Sequence, residues 1–424
     1  MNARPEGLGP RFGLLWAGET ANAVGAATAT TLLPMIAIFS LAAGPQWLGL
    51  LTAATWLPWL VIGIPAGVIV DRSSPRTVMI IANLVTMAAL ATVPVAALVD
   101  RLSLPQLVLV ALVTGCCIVF FRSAYPGLVA TLVPPGHLES ANSRLYGSQS
   151  TAEMAGPGIA GAITQLGSAA LGMLAQLIGL AASTVCLVAL SRVERHVIHE
   201  PGSVRRRVAD GFGSVFGDPV LRNMTVAGGM ANFGLTGIMT VLLLFLTAEL
   251  GLPPGGAGAV LTVGMAGGIA GAAAAPALSR ILGSARLLRT TQALQPVVVL
   301  VPLAGAGAAG WAVVTAAWFA LAFVTVGGNV VRSSWLQRYV QPGLLARSIT
   351  VSQLINYGTM PLAALVSGAL GANLGLRPTM LIMVGAVLVA AIWLNSGPLR
   401  GRRALPNART APHRAAAAEP RPSN

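Results

Sequence analysis

Lysine is absent from this sequence: all 26 basic residues are arginine. Without lysine there is no P-loop phosphate clamp, so an ATP-driven motor inside the chain is not expected. A Schiff base to retinal or pyridoxal is impossible. Charge of either sign is scarce, at 9% of residues against about a quarter in a soluble domain. Histidine and cysteine are scarcer still. The four histidines (His137, His196, His199, His413) fall in loops or the tail, and Cys116, Cys117 and Cys186 fall within apolar runs. That placement suits neither an extracellular disulfide framework nor a metal-ligand spacing. His196 and His199, at i and i+3, read as a solvated loop pair. No H-E-x-x-H and no G-x-S-x-G occurs, so no nucleophile and base converge as an enzyme requires. Neither a metal nor a cofactor is expected.

What the chain does contain is apolar residues, 55% of the total, with a mean hydropathy of +0.77. Runs of about 20 apolar residues, enough to cross a bilayer, recur about twelve times. They lie near 12–40, 46–70, 78–99, 104–124, 143–166, 168–190, 224–249, 257–281, 286–306, 310–334, 347–373 and 377–396. This is the pattern of a polytopic, all-α membrane protein of twelve transmembrane helices. The apolar run after Arg4 and Arg11 is too long for a signal peptide and holds Glu19 and Asn22, so it reads as an uncleaved first span.

The net charge of +14 is spread over loops rather than along one face, so no nucleic-acid partner is expected. The arginines instead give an orientation. With the N-terminus inside, the inner loops hold Arg72, Arg76, Arg144, Arg192, Arg195, Arg205–Arg207, Arg222, Arg280, Arg286, Arg289, Arg338 and Arg347, and the outer loops only Arg101 and Arg377. Both termini then face the cytoplasm of a bacterial inner membrane. The longest polar segment divides the spans six and six. The expected units are an N-terminal bundle over 1–191, a central cytoplasmic loop over 192–222, a C-terminal bundle over 223–397 and a disordered basic tail over 398–424. Within the loop, Arg205-Arg206-Arg207 precede DGFGSVFGDPVLRN, an amphipathic piece expected at the lipid head groups.

Between the second and third runs lies GIPAGVIVDRSSPR, residues 63–76. Asp71, Arg72 and Arg76 are crowded at one membrane face, with the small residues Gly63 and Gly67 just inside, where helices approach closely. An Asp at a helix C-terminus opposes the dipole unless a cation or another helix N-terminus answers it, so the cluster marks a lock between helices. The sequence also repeats. VPPGHLESANS at 133–143 aligns with VQPGLLARSIT at 340–350, an offset of 207 residues. Near that offset Ser279 and Arg280 stand where Asp71 and Arg72 stood, and AEMAGPGIAG at 152–161 has a counterpart in YGTMPLAALVSG at 357–368. Two similar six-span halves suggest parallel repeats about an axis along the membrane normal.

The charged cluster resembles the loop between spans two and three of the major facilitator superfamily, roughly G-x-x-x-D-R-x-x-R-R, with Gly67, Asp71, Arg72 and Arg76 matching. PGLVATLVPPGHLESANS, GPGIAG, DGFGSVFGDPVLRN and QRYVQPGLLAR resemble the superfamily's exporter branch that includes enterobactin and macrolide exporters. The resemblance spans nearly all of 11–396 and implies two pseudo-symmetric six-helix bundles. It also implies an inner gate built from Gly63, Gly67, Asp71, Arg72 and Arg76, with a weaker second copy at Ser279 and Arg280. Gly156-Pro157 resembles the span-five Gly-Pro signature associated with antiporters, and can bend its helix.

An ionisable group inside a span needs a cavity, a partner or a proton. Glu19, Arg122, Glu153 and Arg332 are such groups. Glu19 shares a helical face with Asn22, Ala26 and Thr30, and Glu153 stacks one turn after Gln149. Either acid suits proton coupling or substrate binding, or else holds a neighbouring helix. Arg122 and Arg332 either snorkel towards the head groups or pair with an acid or an anionic substrate. Asn22, Gln149, Asn232, Asn329, Gln353, Asn356 and Tyr357 are candidates to line a cavity; the last three share one face. These features fit a monomeric secondary transporter in the bilayer, driven by the proton gradient and exporting amphipathic small molecules (drugs, natural products or siderophores). The alternatives are an uptake carrier for a polar metabolite, and a membrane receptor or enzyme.

Overall fold

The computed structural model describes residues 8–167, 169–190 and 204–406, with the side chains of Asp71, Arg205–Arg207, Pro342 and Gly343 among those left outside the description. His196, His199 and the tail from 407 also lie outside the described residues. The described chain is helical throughout. Its elements are α1 (Gly9–Leu41), α2 (Pro45–Asp71), α3 (Pro75–Leu98), α4 (Leu104–Leu132), α5 (Leu138–Leu166), α6 (Ala169–Ala189), α7 (Val204–Phe216), α8 (Pro219–Leu244), α9 (Pro254–Leu282), α10 (Ser284–Leu294), α11 (Leu300–Leu303), α12 (Ala308–Tyr339), α13 (Pro342–Leu374) and α14 (Leu376–Ser396).

Among the described residues nine helices are long and apolar enough to cross a membrane: α1, α3, α4, α6, α8 with its π-helical extension to Glu249, α9, α12, α13 and α14. Three further rods complete the expected twelve. They are α2, the polar-striped α5, and α10 continued through the 3-10 turns of Gln295–Val299 into α11. The break in that last rod follows from Pro296, which supplies no N–H to the helix ladder. Proline also opens α2, α3, α8, α9 and α13 in their first turns, where a missing N–H costs nothing. Asp218 caps α8 by accepting from Val220 N and Leu221 N at 2.8 and 3.0 Å, so the C-terminal bundle begins at Pro219 rather than 223. Gly283 and Gly375 each join two helices as a single residue with φ near +90°, a conformation a side chain would resist.

The helices pair in the same way twice. In the N-terminal half α1 packs on α5 and α6, and α2 and α3 on α4; in the C-terminal half α8 packs on α13 and α14, and α9 and α10 on α12. The halves meet through α2 on α13 and α5 on α9. Exchanging one half for the other maps each of these contacts onto its partner, which is the expected pseudo-twofold. α7 lies outside the scheme, against α13 and α8.

One membrane-facing end carries both termini of the described chain; we call it the terminal face. At the opposite, far face a single apolar core runs through both halves, from Leu32 and Leu48 to Ile238 and Met380. At the terminal face that core splits in two. One cluster joins Phe12, Met79 and Leu128 within the N-terminal half, the other Leu221, Leu288 and Trp335 within the C-terminal half.

The segment after α14 departs from the sequence expectation. Residues 397–406 are not loose but lie against the C-terminal half. Leu399 and Leu405 are buried, Leu405 N donates to Ser284 Oγ at 2.9 Å, and Trp335 Nε1 donates to Pro406 O at 2.8 Å. Two leucines and an indole N–H supply what the arginine- and proline-rich composition conceals.

Candidate functional site

Glycine sets how the halves close. At the far face a β-carbon on Gly49 (α2) would stand 2.7 Å from Ala364 O and 2.9 Å from Gly368 Cα on α13. One on Gly161 (α5) would stand 2.6 Å from Pro254 O and 3.1 Å from Gly258 Cα on α9. Backbones this close leave no path between them. Gln165 Oε1 adds a bond from Gly255 N at 3.0 Å. Midway along, Trp56 and Trp59 of α2 meet Tyr357 of α13, with ring centroids 5.6 and 5.2 Å apart. Beyond this trio the halves part. Gly63 and Gly67 have open space beside them, and Tyr146, Ser150 and Glu153, on one face of α5, are all exposed. A cleft therefore opens at the terminal face and ends at the aromatic trio.

Exposed polar side chains at mid-depth belong in that cleft, because lipid would leave them unsolvated. They include Arg122 on α4, Glu153 on α5, Asn329 on α12 and Gln353 on α13. Glu153 accepts from Gln149 Nε2 at 2.8 Å. Asn232 on α8 is half-buried. Gly156 presses on Ala27, its β-carbon position 2.6 Å from the Ala27 carbonyl carbon, and Pro157 lies buried beside it. This pair packs α5 on α1.

Glu19 turns the other way, into the N-terminal bundle. Its carboxylate accepts from Ser183 Oγ of α6 at 2.9 Å, and that hydroxyl accepts from Asn83 Nδ2 of α3 at 3.0 Å. One turn on, Asn22 Oδ1 accepts from Gln176 Nε2 at 3.4 Å. Thr30, on the same stripe, donates to Ala26 O of its own helix. Three helices thus hold one acid. Ser183, Asn83 and Gln176 were not legible as site residues; the only signal was one polar amide in the third run and an amide and a hydroxyl in the sixth, both mainly apolar.

Arg332 lies in the C-terminal bundle. It does not snorkel: its Nη1 stands 3.0 Å from the β-carbon position of Gly228 on α8, and Asn356 Oδ1 of α13 stands 2.8 Å from that same point. The guanidinium lines a small cavity of about 30 Å³ with Thr291, Gln292, Gln295, Thr325 and Asn329. Among the described residues no carboxylate pairs with it. Of the residues expected to share one face of α13, Gln353 is exposed, Asn356 buried, and Tyr357 turned to the tryptophans.

The inner-gate residues spread out. Arg76 donates to Leu187 O and Val188 O at 2.6 and 2.7 Å, covering the carbonyl end of α6 with a cation as the helix dipole favours. Arg72 is exposed, and the Asp71 side chain lies outside the described residues. In the second copy Ser279 is half-buried, while Arg280 is exposed and bonds back to Pro276 O at 3.4 Å. The central segment is fixed to the C-terminal half: Asp210 pairs with Arg347 at 3.0 Å and Ser348 Oγ donates to Ser214 Oγ at 2.9 Å. Asp218, besides capping α8, accepts from Tyr339 Oη at 2.7 Å.

The family model of the Major Facilitator Superfamily matches residues 15–335. This chain belongs to that superfamily. It is a multi-pass membrane transporter and not an enzyme. An uncharacterized MFS-type transporter, y4rN of Sinorhizobium fredii, is 25% identical over 370 residues, covering 84% of this chain and 87% of the relative. A bacterial homologue of the iron transporter ferroportin, solved in an inward-facing state, superposes with a TM-score of 0.75 at 17% identity, covering 91% of this chain and 97% of that one. The nucleoside transporter NupG gives 0.71 at 12% identity, covering 91% and 98%. These structures share the fold of this transporter.

Proposed function

We propose that this transporter is a proton-coupled exporter of amphipathic small molecules, the class taken by the drug and siderophore exporters that its motifs resemble. The observation that carries the reading is the pairing of a cleft sealed at the far face with an acid, Glu19, held inside the bundle that forms one wall. The arginine asymmetry assigns the terminal face to the cytoplasm, so the cleft receives cargo from the cell interior or inner leaflet. An aromatic trio at the closed end and polar side chains along the walls suit an amphipathic molecule.

In this reading Glu19 carries the coupling proton. Ser183 Oγ bonds the ionised carboxylate as a donor and the protonated acid as an acceptor, since a hydroxyl does both. Proton loss or gain at Glu19 changes the α1–α6 contact, and alternating access follows when that change is transmitted to the α5–α9 seam by way of Ala27 and Gly156. Glu153, exposed in the cleft, receives a cationic or hydrogen-bonding group of the cargo. The proton gradient supplies the energy and the chain works as a monomer. The nucleoside and iron cargoes named for the similar structures lend fold only and are not carried over.

The test is transport in proteoliposomes with an imposed proton gradient and a macrolide or fluorescent dye as cargo. Gradient-driven movement is expected, with Glu19→Gln abolishing the dependence on the gradient and Glu153→Gln slowing uptake of cationic cargo. If both variants move cargo at the wild-type rate with unchanged pH dependence, the assignment of proton coupling is wrong.

A further inference from the structure

The cavity around Arg332 has features that proton-driven export of a generic amphipath does not use. A guanidinium inside a helical bundle carries five N–H donors and normally finds a carboxylate. Among the described residues none is offered. The neighbouring polar groups satisfy one another instead: Gln292 Nε2 donates to Gln295 Oε1 at 2.6 Å, and Gln295 Nε2 to Thr325 Oγ1 at 3.4 Å. Beside the cation, Asn356 is 7% exposed and its Oδ1 is buried without a hydrogen-bond partner. A cation with no carboxylate partner among the described residues and an acceptor with no hydrogen bond therefore stand together over Gly228, 3.0 and 2.8 Å from where its β-carbon would lie. Each costs free energy while unpaired. Asn329, one turn before Arg332, is exposed and connects the cavity to the cleft.

We propose that this cavity binds the acidic end of the cargo: a carboxylate paired with Arg332, flanked by a hydroxyl or amide N–H that donates to Asn356 Oδ1. The cargo class is then an amphipathic hydroxy acid or acylamino acid. A single carboxylate matches the single cation. A phosphate, at about −1.5 to −2, would leave charge uncompensated, since among the described residues the cavity lining holds no second cation. The inference rests on the export reading for its biological sense, yet the two fail separately.

The probe is mandelate, which carries a carboxylate, an adjacent hydroxyl and an apolar ring, compared with mandelamide (no charge) and phenylacetate (no hydroxyl). Binding is measured by calorimetry and by thermal shift on the full chain in nanodiscs. Mandelate is expected to bind at least about tenfold tighter than mandelamide, the factor that a charged hydrogen bond supplies, with phenylacetate between them. Arg332→Gln equalises mandelate and mandelamide; Gly228→Ala, which places a methyl between Arg332 and Asn356, weakens mandelate while keeping the charge. Arg338→Gln, further along α12 and bonded to Ser334 O of its own helix, leaves the preference intact. Arg332→Gln should unfold at or above the wild-type temperature, so a loss of binding is not a loss of fold. Equal binding of acid and amide, no binding of mandelate, or a preference that survives Arg332→Gln overturns the proposal. Failure here with gradient-driven transport intact removes the cargo class alone; failure of the Glu19 test with the Arg332 preference intact removes proton coupling alone.

Discussion

The two halves use one helix-pairing plan and bury opposite charges within it. In the N-terminal half an acid, Glu19, is bonded through Ser183 to Asn83, so three helices close around it. In the C-terminal half a base, Arg332, faces a cavity and an unpaired amide oxygen. At the repeat offset Glu19 falls on Val226 and Arg332 on Tyr125. The repeat thus preserves what packing requires, small residues and helix contacts, and leaves polar groups free to differ. In one half the charged group is hydrogen-bonded to a neighbouring helix; in the other it faces a cavity.

The sharpest break of this comparison would come at the seams, where the halves are alike. Gly49→Val and Gly161→Val each drive a branched side chain into a facing backbone, and overpacking of this kind costs about 1–3 kcal/mol. Both variants should lose far-face closure and transport, with spin-label distances across the far ends of α2–α13 and α5–α9 widening in each. Failure of only one seam would mean that the halves do not close as equivalents.

A second pair of substitutions separates the hydrogen-bonded charge from the one that faces a cavity. Ser183→Ala removes a donor from Glu19 and an acceptor from Asn83, and should destabilise the protein by about 1–3 kcal/mol. Arg332→Met deletes an unpaired cation and fills its space, so the unfolding temperature should hold or rise. A fall with Arg332→Met as large as that with Ser183→Ala would show that Arg332 has a partner and that the contrast is false.

How much of this was legible follows from the same contrast. Spans, repeat and the asymmetric spread of arginines were readable because hydrophobicity and charge act over twenty residues at a time. The partners of Glu19 were not, because a helix apolar on all sides gives no periodic sign of which face meets which neighbour. Gln353, Asn356 and Tyr357 illustrate the point: their spacing placed them together, and the packing sends one to the cleft, one into the bundle and one to the tryptophans. The docking of 397–406 escaped because two leucines in an arginine-rich tail carry no pattern at all.

The smallest effect belongs to a feature that, among the described residues, the C-terminal half alone possesses. Helix α7 is joined to the start of α13 by Asp210–Arg347 and by Ser214–Ser348, and Gly211 lets the two backbones approach, its β-carbon position 2.8 Å from Arg347 O. The ion pair is exposed, with 32% and 42% of its side chains accessible, and such pairs contribute at most about 1 kcal/mol. The serine contact and the close backbone approach are buried and insensitive to salt. Asp210→Asn should therefore lower the unfolding temperature slightly, and raising ionic strength should bring the wild type down to meet it, since salt screens the pair in one and finds nothing to screen in the other. Gly211→Val should cost more than Asp210→Asn at every salt concentration. If the order is reversed, α7 is held by charge rather than by packing, and this half carries an electrostatic latch that its twin lacks.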